Sequence, residues 1–597
     1  MTQLQQVQQL QNQILQNPPN QHSSIPIDPN IASSIHWKHQ QKLAQISRGS
    51  NLPNFYARQA ASSSRKPKAD GSPTQGNTLI DITKNLLANV QDKPHFQDSQ
   101  QNEGLMQHKK VTNDISLDEE AEDQRIRIKE NNTQLWTGLD LSGQLIMTLS
   151  SKLFSYNFLR RLYLNGNNLK VIPPQISSLK TLRVLDLSSN NLTELPKEIG
   201  MLYNLKYLYV FDNNISDISY DFGNLYQLDF LGIEGNPNMN EEIVQIIAKK
   251  GTRGLIIHLR DDAPRLEPPE PRKWIKIGED GEPMMNETDL KPAVETDLSS
   301  KDGGSFTLMS YNTLCQHYAT PKMYRYTPSW ALNWDYRRQK LTEEILSYKT
   351  NIICLQEVET RTYEEYWVPL MESNGYKGVF HCKGRSKTMS EKNAKKVDGC
   401  ATFYKSGMFE LLEKRILEYG TLVMSQDKFK KTDDVFNRFM NKDNIASVLI
   451  LQHVPSGNKF VLANTHLHWD PEFNDVKTMQ VEVLLEELQV IMKKHIGPRE
   501  DVNKVPLIIC GDFNSQIDSA VYQLFSQGKC KEHVDFNGRD YGKYTSEGFM
   551  HPFHLKSAYD AINELPFTNF TPTFTEVIEY IWLLVSLMPI LLLTICL

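Results

Sequence analysis

The 597-residue chain reads as a multidomain protein with a disordered head, a leucine-rich-repeat solenoid and a layered α/β domain. Three observations predict this. The first residues are rich in Gln, Asn, Ser and Pro; leucines and asparagines then recur every 23 residues; and after Gly304 short apolar runs alternate with amphipathic segments. Hydrophobic residues make up 39% and charged residues 23%, ordinary for a polar chain with a mean hydropathy of -0.48.

Residues 1–125 cannot bury enough apolar surface to offset ordering entropy, so disorder is expected. The Gln run at residues 3–16 carries Leu, Val and Ile, which makes a short docking helix the alternative there. No basic stretch precedes an apolar one at the start, which argues against a secretory signal. The seven cysteines are scattered without a C-x-x-C pair. That argues against a zinc site or a disulfide framework and for a reducing compartment. A net charge of -6 does not advertise a nucleic-acid binder, but a local groove can still be basic.

Residues 126–260 carry the repeats. Leu139, Leu162, Leu185, Leu208 and Leu231 keep one period, as do Asn167, Asn190, Asn213 and Asn236. This is the L-x-x-L-x-L-x-x-N-x-L pattern of a leucine-rich repeat. Each repeat should give one short strand with inward leucines, and each Asn should satisfy backbone groups at the turn. About five stacked repeats bury a continuous core, and such horseshoes bind proteins. The Pro-, Glu- and Gly-rich stretch at 261–304 reads as a linker.

From 305 onward, "FTLMSYNTLC", "NIICLQEVE", "KFVLANTHLHWD" and "VPLIICGDFNS" read as buried strands. "DYRRQKLTEEILSYKT" and "NDVKTMQVEVLLEELQVIMKKH" read as amphipathic helices between them. Polar residues sit where the strands end. Alternation puts Asn464, His466 and His468 on one face, with Leu467 and Trp469 on the other. Asp512 and Asn514 point together if the chain stays extended, Glu357 ends "IICLQE", and Asn312 follows "LMSY". A single such residue is ordinarily a cap or a solvated group. Four such strand ends in one domain are costly without a function. Carboxylate and amide oxygens without thiolates favour a hard cation such as Mg²⁺. The chemistry that suits Mg²⁺ here is phosphodiester hydrolysis.

"SYNTLC", "LQEVE", "DGCATFYK", "NTHLHWDP" and "GDFNS" occur in order, and together they resemble the endonuclease–exonuclease–phosphatase family. Preceding repeats and a Gln-rich head resemble, within it, the fungal deadenylases of the Ccr–Not complex. The resemblance implies a poly(A)-specific 3′-exoribonuclease that releases 5′-AMP with Mg²⁺, in cytoplasm and nucleus. It implies that the repeats dock a Caf/Pop-type deadenylase subunit, which bridges to the Not scaffold. It also implies site roles. Glu357 binds the metal, supported by Asn312. His466 contacts the scissile phosphate. Asp512 orients water or a second metal, with Asn514 beside it and also binding substrate. Pro471 and Phe574 hold the terminal adenine. A sphingomyelinase or phosphoinositide phosphatase of the same superfamily is the other reading, and the repeats and "NTHLHWDP" argue against it.

The end of the chain departs from the family. Glu579 stands where the family has an Asp. After Trp582 the resemblance stops, and no His follows His554 and no Asp follows Asp560. The family's last Asp–His pair and final strands are therefore expected to be missing, leaving the sandwich C-terminally incomplete. Residues 583–597 have no charge. They are short for a membrane helix, contain Pro589 and lack flanking Lys or Arg, so a membrane anchor is not expected. They are also too long and too uniformly apolar for an ordinary core strand. The expectation is a foreign end, from a frameshift, an unremoved intron or a truncated gene model. That reading opens the alternative to an active exoribonuclease: a catalytically impaired binding subunit.

Overall fold

The computed structural model describes residues 28–64, 78–91, 136–265, 267, 272, 274–278, 280–284, 305–497, 499–584, 587 and 591–593. The Gln run at 3–16 lies outside them. The chain divides into two compact units. One is Met1–Arg265 with Arg325–Trp330, and the other is Leu266–Tyr324 with Ala331–Leu597.

The first unit is built on a parallel sheet of five three-residue strands: β1 (Gly138–Asp140), β2 (Arg161–Tyr163), β3 (Val184–Asp186), β4 (Tyr207–Tyr209) and β5 (Phe230–Gly232). Leu139, Leu162, Leu185, Leu208 and Leu231 stand in register, and the last four are fully buried. The repeated asparagines form a ladder between neighbouring turns. Asn190 Oδ1 accepts from Leu169 N at 3.0 Å, while its Nδ2 donates to the carbonyls of Leu164 and Leu187 at 3.0 Å. Asn213 repeats this with Leu192 N, Leu187 O and Val210 O. One buried amide thus satisfies backbone groups of two repeats, which is why the residue recurs with the leucines. The helix Glu241–Asp261, capped by Asn240, closes the stack with Ile243, Ile247, Leu255 and Leu259 buried.

Part of the segment expected to be disordered is ordered. Helices Ile35–Arg48, Phe55–Ser64 and Leu79–Gln91 lie on the strand face of the repeats. Leu43, Ala44, Tyr56, Leu79 and Ile80 share a buried cluster with Tyr163, Val184, Tyr207, Tyr209, Phe211 and Phe230. The ring of Tyr56 stacks on Tyr163 at 3.9 Å, and its hydroxyl donates to Asp186 at 3.0 Å. Gln40 donates to Leu231 O and accepts from Ile233 N. Arg48 pairs with Asp212 and Glu234. The reason is packing: most outward strand residues in this cluster are aromatic, and that face needs a cover.

The second unit is a sandwich of two sheets. The four-stranded sheet has the order β10-β11-β9-β8, formed by Tyr376–Cys382, Asp398–Lys405, Ile352–Glu359 and Leu308–Asn312. The six-stranded sheet has the order β12-β13-β14-β15-β21-β18, formed by Phe409–Glu418, Ile445–His453, Lys459–His466, Leu507–Asp512, Glu579–Leu584 and Leu555–Ser557. Ile352, Cys354 and Val379 of one sheet pack against Leu449, Leu462 and Ile508 of the other. Helix Asn474–Ile496 covers the outer face of the larger sheet, with Val476, Met479, Val483, Leu484, Leu488 and Ile491 buried. Helix Trp334–Ser347 covers the smaller one through Leu341 and Ile345.

Two boundaries differ from expectation. The strand holding Trp582 continues through Leu583 and Leu584, which pair with Ile508 and Leu555. The first two residues of the apolar tail are therefore sandwich residues, and β21 is flanked on both sides rather than left as an open edge. Further on, Leu591–Leu593 pairs antiparallel with Trp274–Ile277 of the expected linker, which pairs in turn with Pro283–Met284. Among the described residues no helix is long and apolar enough to cross a membrane.

Candidate active site

Five strand ends meet at one end of the sandwich. β8 and β9 run parallel with Asn312 opposite Gln356. β14 and β15 run parallel with His466 opposite Asp512. β21 runs antiparallel to β15, so Glu579, its first residue, sits opposite Asp512. Glu357 reaches the site through a bulge. Gly399 and Ala401 of β11 face Val358 and Leu355, leaving two β9 residues against one. Glu357 takes the left-handed conformation there, with φ 56°. Such a bulge re-aims a side chain out of the strand's alternation.

The side chains are held tightly. Asn312 Nδ2 donates to Asp512 Oδ2 at 2.9 Å and lies 3.3 Å from Glu357 Oε1. Cys315 N donates to Glu357 Oε2 at 3.1 Å. Asn514 N donates to Asp512 Oδ1 at 2.9 Å. His466 Nε2 lies 3.9 Å from Asp512 Oδ2, and both residues are buried. The buried Nδ1 of His466 has no hydrogen-bond partner among the described residues. Burial, then the charges of Asp512 and Glu357, push the Glu579 carboxyl well above the usual range.

The structure therefore brings together Asn312, Glu357, His466, Asp512 and Glu579. Asn514 joins through its backbone only. β15 ends at Asp512 and Asn514 is left-handed, with φ 47°, so the chain does not stay extended, and Asn514 Nδ2 turns to Leu467 O at 3.2 Å. The expected face-sharing holds for Asn464 and His466, two apart on β14, but not for His468, because β14 ends at His466. Asn464 is buried and bonded to Gln356 and to Ala401 O. His468 packs edge-on against Phe473 at 5.2 Å. Leu467 is fully buried while Trp469 is 70% exposed. Pro471 opens an exposed 3₁₀ turn. Phe574 sits by the hairpin strand Thr575–Glu576 at 38% exposure, outside the core.

Sequence reasoning missed a cationic group near this site. Asp398, 1% exposed, pairs with Lys383 Nζ and Arg385 Nη2, both at 2.6 Å, and Tyr318 OH donates to it at 3.3 Å. Burial would raise the Asp398 carboxyl, but Lys383, Arg385 and His466 hold it below its ordinary value. Lys477 on the long helix donates to Asn514 O and Asn474 Oδ1, and burial lowers its ammonium to about 8. The available signal was "DGCATFYK": Asp398 starts an antiparallel strand and so lies at the end where β9 finishes.

The donor set suits a hard cation. Three carboxylates crowd one another, and one is pushed toward protonation. Among the described residues no three His, Cys, Asp or Glu side chains converge to chelate an ion alone.

A two-sheet sandwich with acidic and amide groups at its strand ends defines a class. Residues 309–583 match the Endonuclease/Exonuclease/phosphatase family, and residues 157–214 and 180–237 match the leucine-rich repeat. The "CCR4-Not complex 3′-5′-exoribonuclease subunit Ccr4" of Candida albicans is 57% identical over 571 residues, covering 94% of this chain and 71% of that protein. The Saccharomyces cerevisiae protein of the same name is 50% identical over 526 residues, covering 87% of this chain and 62% of that protein. The chain thus spans about two thirds of the length of these relatives. A solved structure of ANGEL2, a 2′,3′-cyclic phosphatase, with adenosine-2′,3′-vanadate is 23% identical and covers 49% of this chain and 87% of that one, at a TM-score of 0.39. The chain belongs to the Ccr4 family. Nucleases of its superfamily generally use a divalent metal.

Proposed function

We propose that this protein is a poly(A)-specific 3′-exoribonuclease that hydrolyses phosphodiesters with Mg²⁺ and releases 5′-AMP, in cytoplasm and nucleus. The observation that carries the reading is the meeting of Glu357, Asp512 and Glu579 with Asn312 and His466, in a chain 57% identical to a Ccr4 subunit. Glu357 and Asp512 would hold Mg²⁺, with Glu579 beside them. When bound, the ion neutralises charge that develops on the phosphate. The residues do the rest. Asn312 and Asn514 N each hold one oxygen of Asp512, fixing the carboxylate that orients the attacking water. His466, whose Nε2 lies beside Asp512, would donate to a phosphate oxygen. Lys383 and Lys477 add positive charge around it. Pro471 and Phe574, both solvent-facing, hold the terminal adenine, where stacking on a ring is worth about 1–3 kcal/mol.

As a subunit of a CCR4-Not complex, the chain docks a Caf/Pop-type deadenylase through its repeat unit, which connects it to the Not scaffold. The strand face is already covered by the chain's own helices, so the docking surface lies elsewhere on that unit. The test is shortening of a poly(A) oligonucleotide by the purified chain with Mg²⁺. Stepwise loss of AMP, faster on poly(A) than on other homopolymers and absent in Glu357→Gln, supports the reading. Equal rates in Glu357→Gln overturn it.

A further inference from the structure

Beside the acidic centre the second unit has an open cleft of about 620 Å³. None of the residues assigned to the active site lines it. Its walls combine Trp334, Tyr366 and His317 with Arg338, Arg361 and Lys396. The rings are fixed. Trp334 packs on the buried cluster of Leu341, Ile345 and Trp367, and Tyr366 is bonded to Thr342 through its hydroxyl. Arg338 lies over the Tyr366 ring at 5.0 Å. Lys396 is exposed and has no ion-pair partner among the described residues. Arg361 uses its Nε on Glu365 at 2.9 Å, and its terminal nitrogens have no hydrogen-bond partner among the described residues.

The cleft is joined to the active site by two short connections. Glu359, on its wall, is two residues beyond Glu357 on β9. The loop at 313–317 binds both carboxylates, with Cys315 N on Glu357 and His317 N on Glu359. A strand of RNA whose 3′ end sits at Glu357 must leave over a neighbouring surface. Rings that accept any base face, interleaved with cations that accept phosphates, are the chemistry of single-strand binding. The carboxylates of Glu359 and Glu365 are occupied by His317 N and Arg361, so the two acids on the wall are already partnered.

We infer that this cleft is a second RNA subsite, holding the nucleotides on the 5′ side of the one being removed. The inference rests on the nuclease reading above. It assigns phosphate contacts to Arg361 and Lys396 and base stacking to Trp334 and Tyr366. It makes substrate length matter: a trinucleotide fills the catalytic end, while a long tail also fills the cleft.

The experiment compares the full chain with its Arg361→Ala/Lys396→Ala variant. Binding of fluorescein-labelled A20 and A3 is followed by anisotropy in EDTA at several NaCl concentrations. Both residues are exposed, so the variant should fold, and circular dichroism checks that. The expected result is about tenfold weaker A20 binding by the variant, with A3 unchanged. The slope of log affinity against log salt should fall by about 1.4, the value for two single-strand phosphate contacts. Unchanged A20 affinity and slope would overturn the cleft while leaving the nuclease reading intact. Equal weakening of A3 would assign the two cations to the catalytic end and also overturn it. Failure of the unmodified chain to bind A20 would bring down the nuclease reading itself, and the cleft with it.

Discussion

At the scale of single residues, the acidic centre is a balance between repulsion and need. Glu579 faces Asp512 across two strands, and its carboxyl is driven toward protonation by burial and by two like charges. Glu579→Gln should therefore raise the melting temperature in EDTA, because one ionisable charge leaves a crowded site. The same variant should gain less from added Mg²⁺ than the unmodified chain does. A thermal-shift titration with Mg²⁺ reads both effects, and an equal gain in the two proteins would remove Glu579 from the cation site. Glu357→Gln and Asp512→Asn keep volume and lose the charge, so each should cost at least about 10²-fold in rate. Single-turnover shortening of poly(A) measures this. Gly511 has a geometric role next to Asp512. Its φ is 145°, and a Cβ there would lie 1.9 Å from Thr465 O. Gly511→Ala should push β15 away from β14 and misplace Asp512. A shift of about 1 Å at a reacting group can cost on the order of 10²-fold, so kcat should fall well beyond any change in KM.

At the scale of elements, the asparagine ladder and the long helix make separate predictions. Asn213→Ala strips the side-chain partner from Leu192 N inside the stack, while Leu187 O keeps the amide of Asn190. Leaving a buried backbone group unpaired costs about 1–3 kcal/mol, so calorimetry should show the repeat transition lowered by several degrees. In helix Asn474–Ile496, Glu482 is 3% exposed. Burial, then Glu486, pushes its carboxyl up to about 8 from 4.5. The folded state holds this proton where the unfolded chain has lost it. Its stability contribution is therefore intact below about 4.5 and lost as pH rises toward 8. Glu482→Gln should flatten that slope and raise the melting temperature at pH 8, measured as a melting series from pH 5 to 8.

At the scale of the whole molecule, legibility in the sequence followed topology. The repeats were readable because stacking imposes one environment every 23 residues, so Leu and Asn recur together. Asn312, Glu357, His466 and Asp512 were readable because each closes, or all but closes, an apolar run, and parallel strands gather such ends. Asp398 and Lys383 were not, since one begins a strand and the other follows one; only the antiparallel pairing of β10, β11 and β9 brings them to the same end. The helix Ile35–Arg48 was hidden for a different reason. Its buried stripe of Trp37, Gln40, Leu43, Ala44 and Ser47 has helical spacing, but two of its members are polar. Hydrophobic periodicity cannot register a Gln that is buried because it completes a strand's hydrogen bonds. A consequence for partner binding follows. A fragment of residues 28–265 keeps the aromatic strand face covered and should capture the Caf/Pop-type subunit. A fragment of residues 136–265 exposes Tyr163, Tyr207 and Phe230 and should aggregate. Pull-down and size-exclusion chromatography of both fragments decide this; failure of the longer fragment to bind would place the docking surface outside the repeat unit.

The same helices have an order-of-synthesis problem. They leave the ribosome first, yet the surface they rest on is not finished until Phe230 and Leu231 have emerged. For most of the translation of this unit, Leu43, Tyr56 and Leu79 have no native neighbours. A nascent chain paused before β2 would hold three sticky segments in solution, a natural target for ribosome-associated chaperones. Their late docking joins the two ends of the unit and makes its folding all-or-none, where an uncovered repeat array could fold one turn at a time.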